Sequence, residues 1–341
     1  MKVWKMNIDK QKLIEYINKL GSAKVLVVGD LAIDEMIYGD TERISREAPV
    51  LILQHTETKI LLGAASNAAH NASTINNGKV SVIGVVGDDY QSTQLKEAFS
   101  NANIDCSYLV EEKGRKTVTK TRISGSCSQS VTQQIVRIDR QTKAPIKPET
   151  EEQIIKNLEK AIPNFDAVIL SDYHIGVLTQ NIIDKAIELS NKYEKVVVVD
   201  AQKDLDKYKN VTSMTPNLPD TQKFTGIELS SQEKIIEAGK TIIEKTNAKS
   251  VLITCGADGM ISINNNGQAD IIPVFNRSKV FDVTGAGDTV TALYSMGLAI
   301  GAEPLYAAVI GNLAASIVVK QFGCATTTID ELIKTLNKIE L

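Results

Sequence analysis

Five stretches of the chain are short, apolar at consecutive positions and rich in β-branched residues: KVLVVG (24–29), VSVIGVV (80–86), AVILS (167–171), VVVVD (196–200) and SVLIT (250–254). A run bounded by Gly, Asp or Ser and lacking polar alternates fits a strand covered on both faces. Between these runs, residues 63–75, 92–101, 150–161, 180–192 and 231–245 read as helices, the last with Ile235, Ile236, Ile242 and Ile243 at helical spacing. Strand and helix in alternation predict a mostly parallel sheet with helices on both sides, an α/β fold with residues 1–341 as one domain.

Two stretches depart from that rhythm. Residues 35–62 contain VLILQHTETKILL, and residues 105–140 contain TVTKTRISG and, after a polar turn, SVTQQIVRID; both alternate apolar and polar positions. Such alternation marks antiparallel strands with one wet face. They form either edge decoration or a small antiparallel β-lid over the carboxyl edge of the main sheet, where open α/β folds bind ligands.

Composition narrows the function. With 341 residues, 43% of them hydrophobic and 5% aromatic, the chain can bury a large aliphatic core. A net charge of −3 supports neither a nucleic-acid surface nor an anionic-membrane anchor, so any anionic ligand is held by local groups. Cys106, Cys127, Cys255 and Cys324 are scattered without a C-x-x-C pair, which suggests reduced thiols in the cytoplasm. Residues 1–20 hold no signal-peptide core, and no run approaches the roughly 20 apolar residues that span a bilayer.

The first strand ends VVGDLAID, without the G-x-G-x-x-G of a dinucleotide site, and no Walker pattern is present. Asp30 and Asp34 follow that strand, where carboxylates can grip sugar hydroxyls or merely shape a turn. Small residues in LGAASNAAHN (62–71) let a ligand approach Gly63 and the amide of Asn67, or serve only helix packing. In TPNLPD (215–220), Asn217 and Asp220 are spaced to organise Mg²⁺ and its waters, or to cap a turn. The stretch VFDVTGAGDTVTA (280–292) is the most suggestive. If residues 280–283 are extended and a helix runs over 289–300, the N–H groups of Ala286, Gly287 and Asp288 gather at a helix N-terminus, which attracts anions. Asp288 beside them can take a proton from an attacking hydroxyl during phosphoryl transfer, or act as a plain cap.

Together these stretches resemble the ribokinase or PfkB family of sugar kinases, over nearly the whole chain. The family signature D-T-x-G-A-G-D stands here as Asp282-Val283-Thr284-Gly285-Ala286-Gly287-Asp288. The resemblance implies a ribokinase-like three-layer α/β/α sandwich with a β-lid, Asp288 as catalytic base and Gly285, Ala286 and Gly287 as the anion hole. It also implies Asn217 and Asp220, matching N-x-x-E with Asp for Glu, at Mg²⁺. ATP would lie between the loop bearing Thr254, Gly256 and Gly259 and the helix bearing Asn312 and Ser316, and Asp30, Asp34, Gly63 and Asn67 would hold the sugar.

Within the family, ISREAPV, QQIVRID, LSDY, MTPNLPD and NLAASIVVKQFGCAT are similar to the D-glycero-β-D-manno-heptose-7-phosphate kinases of lipopolysaccharide synthesis. The resemblance implies Asp172 near the substrate and a stand-alone kinase. Arg43, Arg46 and Arg137 in the matching lid segments, with Lys120 and Arg122 as further candidates, suit a sugar phosphate by their charge. The period-two lid strands can pair across a two-fold axis as a homodimer. Two positions depart from that pattern. Ala64 replaces the second glycine of Gly-Gly, and Ile175 replaces the lysine of Ser-Asp-Tyr-x-Lys-Gly. A kinase of another sugar and a catalytically silent binding protein are the competing readings.

Overall fold

The structure, a computed structural model, describes residues 8–127, 130–275 and 282–339. An eight-stranded sheet runs in the order Ala269–Ile272, Met260–Asn264, Ser250–Thr254, Ser213–Met214, Val196–Ala201, Ala167–Asp172, Val25–Gly29, Val80–Ile83. From Val80–Ile83 to Ser250–Thr254 every pairing is parallel, and the remaining two strands add antiparallel. That hairpin turns through the polar NNNGQ, whose Asn-Gly pair is a local signal for antiparallel pairing.

Both faces of the sheet are covered. Val25, Val27, Val80, Val82, Ile169 and Val198 pack with the helices Ala65–Asn76, Ala286–Ala299 and Pro304–Val318. Leu26, Val28, Val168, Leu170, Val197 and Val199 pack on the opposite side with Pro148–Ala161, Gln180–Lys192 and Gln232–Thr246. Neighbouring strand residues therefore bury into opposite cores, which is why these strands carry no polar alternates. Three helices begin at side-chain caps that residue type foreshadows: Asp89, Thr179 and Ser231 each accept a first-turn N–H. The run 80–86 splits: Val85–Gly87 leaves the main sheet and pairs with Val110–Glu112.

The period-two stretches form a separate four-stranded sheet ordered Leu51–Ala64, Leu31–Ile44, Val118–Cys127, Ser130–Arg140. Two antiparallel hairpins are joined by a parallel pairing of Leu31–Ile44 with Val118–Cys127. Cross-strand register puts Asp34, Lys120 and Asp139 in one row and Met36, Arg122 and Arg137 in the next, on one face. The expected extended segment at 280–283 falls partly outside the described residues, since Val280 and Phe281 are not among them. No helix among the described residues is long and apolar enough to cross a membrane.

Candidate active site

The helix Ala286–Ala299 starts from Gly285, whose φ of 77° is left-handed. A Cβ there would lie 2.4 Å from Asn67 Nδ2, so both the backbone and the close approach demand glycine. Ala286 N–H donates to Val283 O at 3.2 Å and is spent in a turn, so the anion hole read from the sequence loses that donor. Gly287 and Asp288 hold first-turn N–H groups that have no intrahelical acceptor. A Cβ at Gly287 would meet nothing within 4 Å, so this helix start has room for a phosphoryl group.

Asp288, 5% exposed, points inward from the third helical position. Asn67 Nδ2 donates to its Oδ2 at 2.8 Å, and the Tyr173 hydroxyl to its Oδ1 at 2.7 Å. Asn67 is oriented by Asn71, whose Nδ2 donates to Asn67 Oδ1 at 3.2 Å, and Thr289 Oγ1 donates to Asn71 Oδ1 at 3.0 Å. Burial pushes Asp288 up to about 6, against the two hydrogen bonds and the charge of Lys120. Asp200, two strands from the first strand and unread from the sequence, is pushed up to about 7 by burial and by the charges of Asp288 and Asp220.

Asp34 also faces this pocket. Arg122 Nη1 lies 2.8 Å from its Oδ1, a charge contact off the N–H direction, and Cys324 Sγ donates to its Oδ2 at 3.4 Å. Gly63 packs directly over it: a Cβ would sit 2.8 Å from Asp34 Cγ, so only glycine lets the two lid strands close here. Lys120 Nζ stands 4.9 Å above the Tyr173 ring, and Arg137 is held by Asp139 through two contacts of 2.7 Å. Lys120, Arg122 and Arg137 thus line one lid face above Asp288.

Other expected ligands have different jobs in the structure. Asp30 accepts the N–H groups of Tyr173 at 2.9 Å, Ile175 at 3.0 Å and Val177 at 3.4 Å, so it fastens a loop rather than facing a sugar. Asp172 is taken by His174 N–H at 2.7 Å and by the Tyr208 hydroxyl at 2.5 Å. Arg43 lies nine residues along its strand from Asp34, about 30 Å, and Arg46 follows it in an exposed bend, so neither joins the site. Asn312 donates to Pro273 O at 2.7 Å and Ser316 Oγ to Leu313 O at 2.6 Å; both are buried and serve the fold. Local sequence cannot foresee the partners of Asp30, Tyr208's grip on Asp172 or the carbonyl met by Asn312, because those partners arrive from distant elements.

The two departures meet in the structure. Ala64, at a φ of 50°, and Ile175 pack together with Ala32, Val118 and part of Tyr173. Ile175 is 4% exposed, with its carbonyl bound by Arg115 Nη2 at 2.6 Å, so it braces the loop beneath the lid.

Asn217 caps the helix Leu218–Thr225, its Oδ1 accepting Asp220 N–H at 2.8 Å. It bridges Thr254, whose N–H donates to Pro216 O at 3.0 Å, so the metal and nucleotide segments foreseen in the sequence are neighbours. Burial lifts the Asp220 carboxyl. Its charge in turn helps lift Asp200, and carboxylate and amide oxygens of this kind suit Mg²⁺.

Residues 22–331 match the profile of the pfkB family carbohydrate kinases. The chain belongs to the pfkB family of carbohydrate kinases. It is 36% identical over 331 residues to the "Bifunctional protein HldE" of Trichlorobacter lovleyi, covering 97% of this chain and 66% of that one. It is 38% identical over 317 residues to the protein of the same name from Geobacter sulfurreducens, covering 93% and 63%. The pfkB chain therefore spans just under two thirds of the length of these relatives. Among solved structures, Escherichia coli phosphofructokinase-2 with substrates and products superposes with a TM-score of 0.76 at 15% identity, covering 94% of this chain and all of that one. Arabidopsis thaliana ribokinase complexed with ribose and ATP gives 0.69 at 17% identity, covering 92% and 98%. At such identities the likeness establishes the ribokinase-like fold of this pfkB protein.

Proposed function

We propose that this pfkB protein transfers the γ-phosphoryl group of ATP to the anomeric hydroxyl of D-glycero-β-D-manno-heptose 7-phosphate. The reading is carried by Asp288, pinned between Asn67 and Tyr173 at an open helix N-terminus and roofed by Lys120, Arg122 and Arg137. Asp288 accepts the hydroxyl proton as the sugar oxygen bonds to the γ-phosphorus and the bond to ADP breaks. The N–H groups of Gly287 and Asp288 stabilise charge on the transferring group. Asp34 orients a sugar hydroxyl, and the lid cations hold the anionic end of the acceptor. Mg²⁺, when bound, neutralises phosphate charge, with Asn217 and Asp220 as its protein donors. The exposed turn at Gly256, leading to Gly259, borders the nucleotide.

A coupled ADP-release assay offering heptose 7-phosphate beside fructose 6-phosphate, ribose and unphosphorylated heptose checks the substrate. We expect kcat/KM for heptose 7-phosphate to exceed that for ribose and unphosphorylated heptose by about 100-fold or more, since losing a phosphate from a site built for it leaves the lid cations unpaired, and to exceed that for fructose 6-phosphate as well. Preference for another sugar overturns the acceptor, and turnover of none overturns the kinase.

The far face of the lid supports a homodimer. Ile37, Ile123 and Val136 line up across three strands, and Val136 and Ile138 are each 44% exposed. An apolar row of this kind, on strands whose other face is charged, fits a second copy of the lid. Sedimentation equilibrium should return twice the chain mass, and a monomer at micromolar concentration would remove this part of the reading.

A further inference from the structure

We infer that Tyr173 is the positioning residue for Asp288, and that Lys120, seated on its ring, ties that positioning to the lid. The inference rests on the kinase reading of the site. Tyr173 is fixed in a loop whose backbone is held from three directions: Asp30 takes the N–H groups of Tyr173, Ile175 and Val177, Asp172 takes that of His174, and Arg115 grips Ile175 O. His174 at φ 57° turns the chain so that the tyrosine side chain enters the pocket. Its hydroxyl then meets Asp288 Oδ1 at 2.7 Å while Asn67 holds Oδ2. With one donor on each oxygen, the carboxylate plane is set, and each oxygen keeps a lone pair for an acceptor hydroxyl.

The chemistry fits the geometry. Burial keeps the Tyr173 hydroxyl protonated far above neutrality, so it acts as a donor throughout the working range. A donor to a carboxylate favours the ionised form, the form that can take a proton. Lys120 Nζ, 4.9 Å over the same ring, adds a cation supplied by the lid strand Val118–Cys127. The charged and titratable groups facing Asp288 are Asp34 and Lys120 from the lid, Tyr173 from the loop, Asp200 from the central sheet and Cys324 from the loop after Pro304–Val318. Of these, Lys120 is the cation whose charge acts on Asp288 and Tyr173 hydrogen-bonds to it, while Arg122 and Arg137 on the same lid face act on Asp34.

The test follows the Asp288 carboxyl carbon by ¹³C NMR across pH, identified by its disappearance in Asp288→Asn, alongside the pH profile of kcat. Tyr173→Phe removes the hydroxyl and keeps the ring. It should raise the midpoint by about one pH unit, so that kcat falls about fivefold at pH 6 and recovers to within about threefold at pH 8.5. Lys120→Met should move the midpoint the same way by a smaller amount, with Lys120→Arg restoring it. A Tyr173→Phe titration that overlays the wild type overturns the proposal, as does a uniform loss of kcat at every pH. If Asp288→Asn turns over normally, the kinase reading fails instead, while the carboxyl titration still decides whether Tyr173 holds that group.

Discussion

Asp288→Asn should fold and bind both substrates yet lose about 10²–10⁴-fold in kcat, the span that a positioned general base contributes. The amide preserves size and can still accept from the Tyr173 hydroxyl, so the loss reports proton transfer rather than packing. Steady-state kinetics should show KM for ATP changed less than about threefold, because a base acting only in the transition state moves kcat and leaves ground-state binding alone. Activity within tenfold of wild type would remove Asp288 from the mechanism. Stability gives an independent readout with a definite sign. Folding raises the Asp288 carboxyl from 3.8 to about 6, chiefly by burial. Its contribution to stability is therefore full below the unfolded value and is lost as pH climbs through 6. Across that window the wild type gives up about 3 kcal/mol as an upper bound, which the uncharged asparagine does not lose. Urea unfolding at pH 8 should accordingly find the variant at least as stable as the wild type, with the difference shrinking toward pH 4.

Gly285→Ala should be damaging for a different reason. The residue sits at φ 77°, where a methyl group costs about 1–2 kcal/mol, and that methyl would lie 2.4 Å from Asn67 Nδ2 and 3.4 Å from Cys324 Sγ. Relief comes by displacing the Asn67 amide, which holds Asp288 at 2.8 Å and reaches Gly285 O at 3.3 Å. We expect kcat to fall about 10–100-fold through misplacement of the base and unfolding free energy to drop by about 2 kcal/mol. A thermal melt and one saturating rate measurement suffice. Unchanged kcat with lowered stability would mean that Asn67 does not position the base.

Much of the fold could be read along the chain because it is written in local periodicity. A parallel strand covered on both faces must be apolar at every position, and VVVVD or AVILS has few other uses. Alternation in TVTKTRISG and QQIVRID likewise marked a sheet with two unlike faces, and the structure puts Lys120, Arg122 and Arg137 on one and Ile123, Val136 and Ile138 on the other. Gly-Ala-Gly-Asp announced a helix start with room at its tip, because glycine at a left-handed position and an acid in the first turn are local requirements.

The fine structure of the site depends on partners distant in sequence. Tyr173 and Asp288 are 115 residues apart, Asn67 and Asp288 are 221 apart, and no spacing rule links them. Asp30 and Asp34, alike as acids after one strand, take opposite roles because three loop N–H groups close over the first, while Arg122 and the open pocket face the second. Arg43, plausible by charge, is removed by strand length, and Asn312 by a carbonyl that the fold leaves in need of a donor. Elements and their faces thus follow from residue order, since propensity and periodicity act over a few residues. Which polar group meets a ligand and which satisfies the protein is settled only when the chain closes on itself and every buried donor and acceptor must find a partner.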